Sequence, residues 1–237
     1  MEVIILAAGL GSRLGKGLPK CLTIMDNGKT ILQMQVENIR AVFGDVKINI
    51  IIGFKGELIE EYNIVNNLNL NIIYNADYDI VNTSKSLLHG IKFVGKDKNV
   101  LWLNGDVVFS VNVLMHSLSL VTTNQSFITV NTESVSDEEI KYTLDSEGYI
   151  DELSKKVNQN KALGEAVGIN FINSSDVQTF KYWLKKVNDS DYFEKGLEES
   201  IKNDKIKLTP YDISAFNSYA VEVDFESDLA KANNVLV

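Results

Sequence analysis

Residues 3–20 read Val3-Ile4-Ile5-Leu6-Ala7-Ala8-Gly9-Leu10-Gly11-Ser12-Arg13-Leu14-Gly15-Lys16-Gly17-Leu18-Pro19-Lys20. The unbroken apolar run to Ala7 predicts a strand buried on both faces, the habit of parallel sheets. A glycine-rich loop follows over 9–20, holding four of the chain's 15 glycines. Glycine lets the backbone turn and approach a phosphate without a Cβ clash, and successive N–H groups in such a turn make an anion nest. Arg13 and Lys20 put a cation at each end of the loop, and Pro19 stiffens the chain just before Lys20. Arg13 is one of two arginines and Pro19 one of two prolines, so their placement here carries information.

Three readings of the loop compete. A dinucleotide-binding turn requires G-x-G-x-x-G, but position 14 is leucine and no acidic residue ends the second strand. A P-loop requires G-x-x-x-x-G-K-[ST]. Gly28-Lys29-Thr30 has Thr23 where the first glycine belongs, and Gly15-Lys16 is followed by Gly17. A plain glycine turn accounts for the glycines, but not for Arg13, Pro19 and Lys20 beside them.

Outward from the loop, strand and helix periods alternate. Helices are predicted over 30–43, 57–65 and from 83, the last capped by Asn82; strands over 48–52, 70–74, 100–103 and 127–130. This alternation predicts an α/β fold with a doubly wound, mostly parallel sheet. After about residue 131 the pattern changes. Strands at 140–144, 149–155 and 166–172 are separated only by turns. Helices at 176–187 and 192–203, a strand at 220–223 and a helix at 227–235 follow. No linker interrupts the chain, so 1–237 reads as one domain. Residues 1–131 form its nucleotide-binding half, and 132–237 a smaller β-rich and helical substrate lobe.

Composition excludes several classes. The 237 residues are 45% hydrophobic and 23% charged with a net charge of −9, which argues against nucleic acid or an anionic membrane as partner. A single cysteine, Cys21, excludes an internal disulfide and fits a reducing compartment. With two histidines, a functional metal would have to be a hard ion such as magnesium held by carboxylates. No apolar run reaches membrane-span length and the N-terminus lacks the pattern of a signal peptide, so the expectation is a cytoplasmic protein with no membrane partner.

The run Leu6-Ala7-Ala8-Gly9-x-Gly11-Ser12-Arg13, six residues, then Lys20 resembles the nucleotidyltransferase superfamily of sugar-phosphate nucleotidyltransferases and small cytidylyltransferases. Its signature is A-A-G-x-G-x-R, a variable insert, then P-K. Leu103-Asn104-Gly105-Asp106 is similar to that family's L-x-G-D magnesium site, and Glu222-Val223-Asp224 to its E-[IV]-D second metal site. Ser86-Leu87-Leu88-His89-Gly90 is similar to its base-contacting helix start. The resemblance implies a Rossmann-like nucleotidyltransferase fold, Mg2+ held by Asp106 and Asp224, and Arg13 and Lys20 on the phosphates. It implies nucleotide contacts from Leu6, Ala8, Gly9, Gly11, Ser12, Asn82, Ser86 and Gly105. A further lysine on the attacking phosphate would be Lys155 or Lys156; alternation turns only one of them toward the site. On its own, each aspartate reads equally as a turn or cap residue.

The short insert before Lys20 is similar to cytidylyltransferases, which implies CTP as substrate. The second half looks most like enzymes activating phosphocholine, aminoalkylphosphonates or phosphoglutamine for decoration of surface polysaccharide or lipid. Glu165, Asp191 and Tyr192 are the candidate acceptor contacts. Two alternatives stay open: a sugar-1-phosphate nucleotidyltransferase using UTP, dTTP or GTP, and a non-catalytic nucleotide-binding module.

Overall fold

The computed structural model describes residues 1–11, 14–15, 17–133, 135–136, 138–216 and 218–236. Ser12 and Arg13, two of the expected site residues, lie outside the described residues. The chain opens with β1 (Glu2–Ala7), α1 (Ile31–Phe43), β2 (Ile48–Ile52), α2 (Gly56–Val65), β3 (Asn71–Tyr74), α3 (Thr83–Ile91) and β4 (Val100–Asn104). It continues with β5 (Val107–Phe109), α4 (Val111–Thr122), β6 (Phe127–Asn131), β7 (Lys141–Leu144), β8 (Ile150–Ser154) and β9 (Glu165–Ile172). It closes with α5 (Val177–Lys186), α6 (Phe193–Asp204), β10 (Thr209–Asp212), β11 (Ala220–Glu222) and α7 (Glu226–Asn234).

The main sheet runs β10-β6-β9-β4-β1-β2-β3, with β7 and β8 attached beside β9. β1 pairs parallel with β2 and with β4, so the strand order reverses at β1. That reversal opens a crevice at the carboxyl ends of β1 and β4, the place where doubly wound sheets take ligands. β1 is buried along its whole length. Its alternate residues serve two cores: Val3, Ile5 and Ala7 pack toward Leu32, Val36 and Ile59, whereas Ile4 and Leu6 pack toward Leu87, Trp102 and Phe180. Period-2 alternation with both faces apolar is what a helix-covered central strand demands.

The expected α/β fold with a mostly parallel sheet is the observed one. β9 departs from the parallel pattern, running antiparallel to both β4 and β6. A strand buried on both faces carries no signal of its direction. β5 and β10 were not expected from the sequence. β5 has three residues and, among the described residues, pairs only with β11, in a separate ribbon. β10 contains Pro210, which demotes a run as a strand; it sits on the sheet edge, where proline is tolerated. Among the described residues no helix is long and apolar enough to cross a membrane.

Candidate active site

An open cleft of about 720 Å³ lies at the carboxyl ends of β1 and β4, walled on its far side by the second half of the chain. Leu6, Ala8, Gly9, Gly11, Lys20, Asn82, Ser86, Gly105, Asp106, Lys155, Tyr192 and Asp224 all line it. The structure therefore gathers most of the residues selected from the sequence. Lys156, Glu165 and Asp191 are not among the lining. Lys156 follows Lys155 on the turn after β8, its backbone N–H donating to Ser154 Oγ at 3.1 Å. Glu165 Oε2 accepts the Ser136 N–H at 3.1 Å. Asp191 turns its carboxylate back to the Asn188 N–H at 2.8 Å, closing a loop. Of the two lysines, Lys155 is the one on the cleft.

Local structure explains how each group is aimed. Pro19 precedes a short 3-10 turn over Lys20–Leu22, closed by Leu22 N–H to Pro19 O at 2.9 Å. Gly11 has a positive φ of 61°, and a Cβ there would lie 3.3 Å from Lys20 Cγ, so glycine lets the loop close over the lysine stem. Asp106 sits on the two-residue link between β4 and β5. The preceding Gly105 N–H donates to Leu6 O at 2.8 Å, and a Cβ on Gly105 would come within 2.7 Å of that oxygen. Gln35 of α1 spans the link from beneath, donating to Asn104 O at 2.9 Å and Val107 O at 2.8 Å. Asp224 follows β11. Asp228 in the first turn of α7 accepts the backbone N–H groups of Asp224 at 3.1 Å and Phe225 at 2.8 Å. Gln35 and Asp228 carry no sequence signal that distinguishes them from a core glutamine and a helix cap.

Lys20 Nζ donates to Asp106 Oδ2 at 2.8 Å and to Asp224 Oδ1. Burial works to lower its pKa, but the Asp106 charge and the hydrogen bonds to both carboxylates outweigh that and hold the ammonium above its ordinary range. Beneath them Glu222 is raised well above the carboxylate range by burial and then by the Asp106 charge, while Asn104 Nδ2 donates to its Oε1 at 3.0 Å. Cys21, also lining the cleft, is pushed up to about 12 by burial, so its thiol stays protonated. Two carboxylates from distant parts of the chain thus converge on one cation, the donor set that suits a hard divalent ion.

At the other end, Ser86 Oγ accepts from Asn75 Nδ2 at 3.0 Å, and Tyr78 is pressed against Gly53. The carbonyls of Leu6 and Ala8 already accept Gly105 N–H and Phe54 N–H, leaving each a second lone pair for a ligand. Asn82 has both ends of its amide engaged, accepting from Thr83 N–H at 2.7 Å and donating to Ser190 O at 3.1 Å. Lys85 reaches across to the last carbonyls of α5, Leu184 O at 2.9 Å and Val187 O at 2.6 Å. The start of α3 and the segment leading to Tyr192 are therefore docked on one another.

Residues 3–166 match the model of the MobA-like NTP transferase domain. The chain is 30% identical over 136 residues to the bifunctional protein GlmU of Baumannia cicadellinicola subsp. Homalodisca coagulata, covering 52% of this chain but only 29% of that protein's length. Its fold is similar to that of the CTP:phosphocholine cytidylyltransferase from Streptococcus pneumoniae, with a TM-score of 0.77 at 18% identity over 100% of this chain and 99% of that one. It is similar to the same degree to a UDP-glucose pyrophosphorylase solved with UDP-glucose, TM-score 0.77 at 16% identity over 99% and 97% of the two chains. With 164 consecutive residues matched, from β1 through the start of β9, the chain belongs to the family of MobA-like NTP transferase domains.

Proposed function

We propose that this chain transfers a cytidylyl group from CTP to a small phosphorylated acceptor. The acceptor phosphate oxygen bonds to the α-phosphorus, the bond to the β-phosphate oxygen breaks, and pyrophosphate leaves. The observation that carries this reading is the convergence of Lys20, Asp106 and Asp224 beside the glycine loop at the switch point of the sheet. Joining two anions requires charge neutralisation and positioning more than proton chemistry. Asp106 and Asp224 would hold magnesium, which when bound neutralises phosphate charge. Lys20 supplies a cation to the triphosphate, with the N–H groups of Gly9 and Gly11 around it; the resemblance assigns Ser12 and Arg13, outside the described residues, to the same phosphates. Lys155 attends the acceptor phosphate.

The nucleobase lies at the end of the cleft made by Leu6, Ala8 and Ser86. Tyr78, close against Gly53, lines the same cleft. The fold likeness to a UDP-glucose pyrophosphorylase supports a second reading, uridylyl or thymidylyl transfer to a sugar-1-phosphate. A pyrophosphate-release assay separates the two readings. CTP, UTP, dTTP and GTP are each paired with phosphocholine, 2-aminoethylphosphonate, phosphoglutamine and glucose-1-phosphate, with magnesium throughout. Turnover is expected with CTP and a small acceptor. Turnover with glucose-1-phosphate alone moves the protein to the sugar-nucleotide class, and none with any pair makes it a binding module.

A further inference from the structure

The wall of the cleft opposite the Lys20 cluster contains a carboxylate whose needs the fold does not meet. Glu194, in the first turn of α6, is 8% exposed and lines the cleft. Its Oε2 is buried with no hydrogen-bond partner. An orphaned buried carboxylate oxygen is costly unless a donor reaches it. Beside it stand Tyr192, 40% exposed on the rim, and Glu139 from the segment before β7, both lining the same cleft. Lys155 Nζ lies 5.1 Å from the centroid of the Tyr192 ring, so a cation already occupies the aromatic face at this wall. Above about pH 7, where Glu194 gives up its proton, Glu194 and Glu139 outnumber that one lysine and leave this wall negative.

We propose that the acceptor carries, at the end away from its phosphate, an ammonium group with N–H donors, received by the Glu194 carboxylate beside the Tyr192 ring. This rests on the reading of the cleft as a nucleotidyltransferase site, and it names the class of acceptor. Lys155 then leaves the ring for the acceptor phosphate, and the acceptor's own cation takes its place. A quaternary ammonium can lie over Tyr192 but has no N–H for Glu194 Oε2, and a sugar hydroxyl brings no charge to offset the two glutamates. The acceptor is accordingly an amine-bearing phosphate or phosphonate.

The test is calorimetric titration at pH 8 with magnesium, using 2-aminoethylphosphonate, its trimethylammonium analogue and ethylphosphonate as probes. Wild type is expected to bind the amine at least about tenfold more tightly than the other two. In Glu194→Gln that ratio is expected to fall below about threefold. Tyr192→Leu and Glu139→Gln, both away from the core, carry the same test should Glu194→Gln not fold, each cutting the ratio by about threefold or more. Equal affinities in wild type, an undiminished ratio in the variants, or no binding of any probe overturns the inference. CTP is titrated separately. CTP binding without an amine preference overturns this inference alone, whereas absence of CTP binding overturns the nucleotidyltransferase reading as well.

Discussion

Lys20 and Asp106 stand 86 residues apart in the chain, yet their side chains meet at 2.8 Å over the carboxyl edge of the sheet. The ammonium is shared with Asp224, a further 118 residues along, so three motifs converge on one cation position. A protein has little structural reason to hold two part-exposed carboxylates together there. Exposed ion pairs contribute little to stability, and removing one partner leaves like charges in contact.

Replacing Lys20 by methionine should lower turnover by more than about tenfold, because a cation facing the triphosphate is lost, and should lower stability as well, because Asp106 and Asp224 are left facing each other. Asp106→Asn and Asp224→Asn should each weaken the magnesium dependence of pyrophosphate release, Asp106→Asn the more severely. Wild-type rates in any of the three, measured over a magnesium series, would contradict the assigned roles.

Asp228 is a positioning residue. Its carboxylate holds the backbone of Asp224 and caps α7. Asp228→Ala should cost about 1 kcal/mol of stability and raise the magnesium concentration for half-maximal rate. Asp228→Asn, which keeps an acceptor oxygen, should restore most of both. A stability loss with unchanged magnesium dependence would reduce Asp228 to a helix cap.

Gly168 sits at a positive φ of 69° where the pairing of β9 with β6 slips register. A Cβ there would collide with Glu222 Oε1 and lie 2.8 Å from Asn104 Nδ2, the pair beneath Asp106. Gly168→Ala should therefore destabilise the fold by at least about 2 kcal/mol, read from denaturant unfolding. A near-neutral effect would mean that Glu222 and Asn104 can move apart freely.

Burial pushes the Glu194 carboxyl up to about 7. Its own N–H and the Lys155 charge oppose the shift, and the Glu139 charge adds to it. With a folded value above the unfolded one, the folded state keeps a proton that the unfolded chain has released. The contribution is fully present below pH 4.5 and is lost as the pH rises to about 7. Comparing unfolding free energies at pH 5 and pH 8, Glu194→Gln should lose less than wild type, by on the order of 1–3 kcal/mol. Parallel losses in the two proteins would show that the carboxyl does not titrate in this range.

The sequence by itself determined the class of the fold and picked out residues that border the cleft. The apolar run of β1, the glycines, Pro19 and Lys20 are contiguous, and contiguous patterns report local geometry directly: a buried strand, then a turn open to phosphate. Asp106 and Asp224 were legible because each follows a short apolar strand, and strand ends are where an α/β sheet keeps its ligands. Only the tertiary structure decided which groups meet. Whether Lys155 or Lys156 faces the cleft depends on how the turn after β8 leaves its strand, and two adjacent lysines look alike in one dimension. Asp191 was as plausible as Tyr192 until its carboxylate was seen closing its own loop. Gln35 and Glu194 were invisible for a related reason. A buried glutamine and a glutamate in a first helical turn are ordinary in sequence, and only packing shows that one braces the Asp106 link and that the other has an oxygen left without a partner.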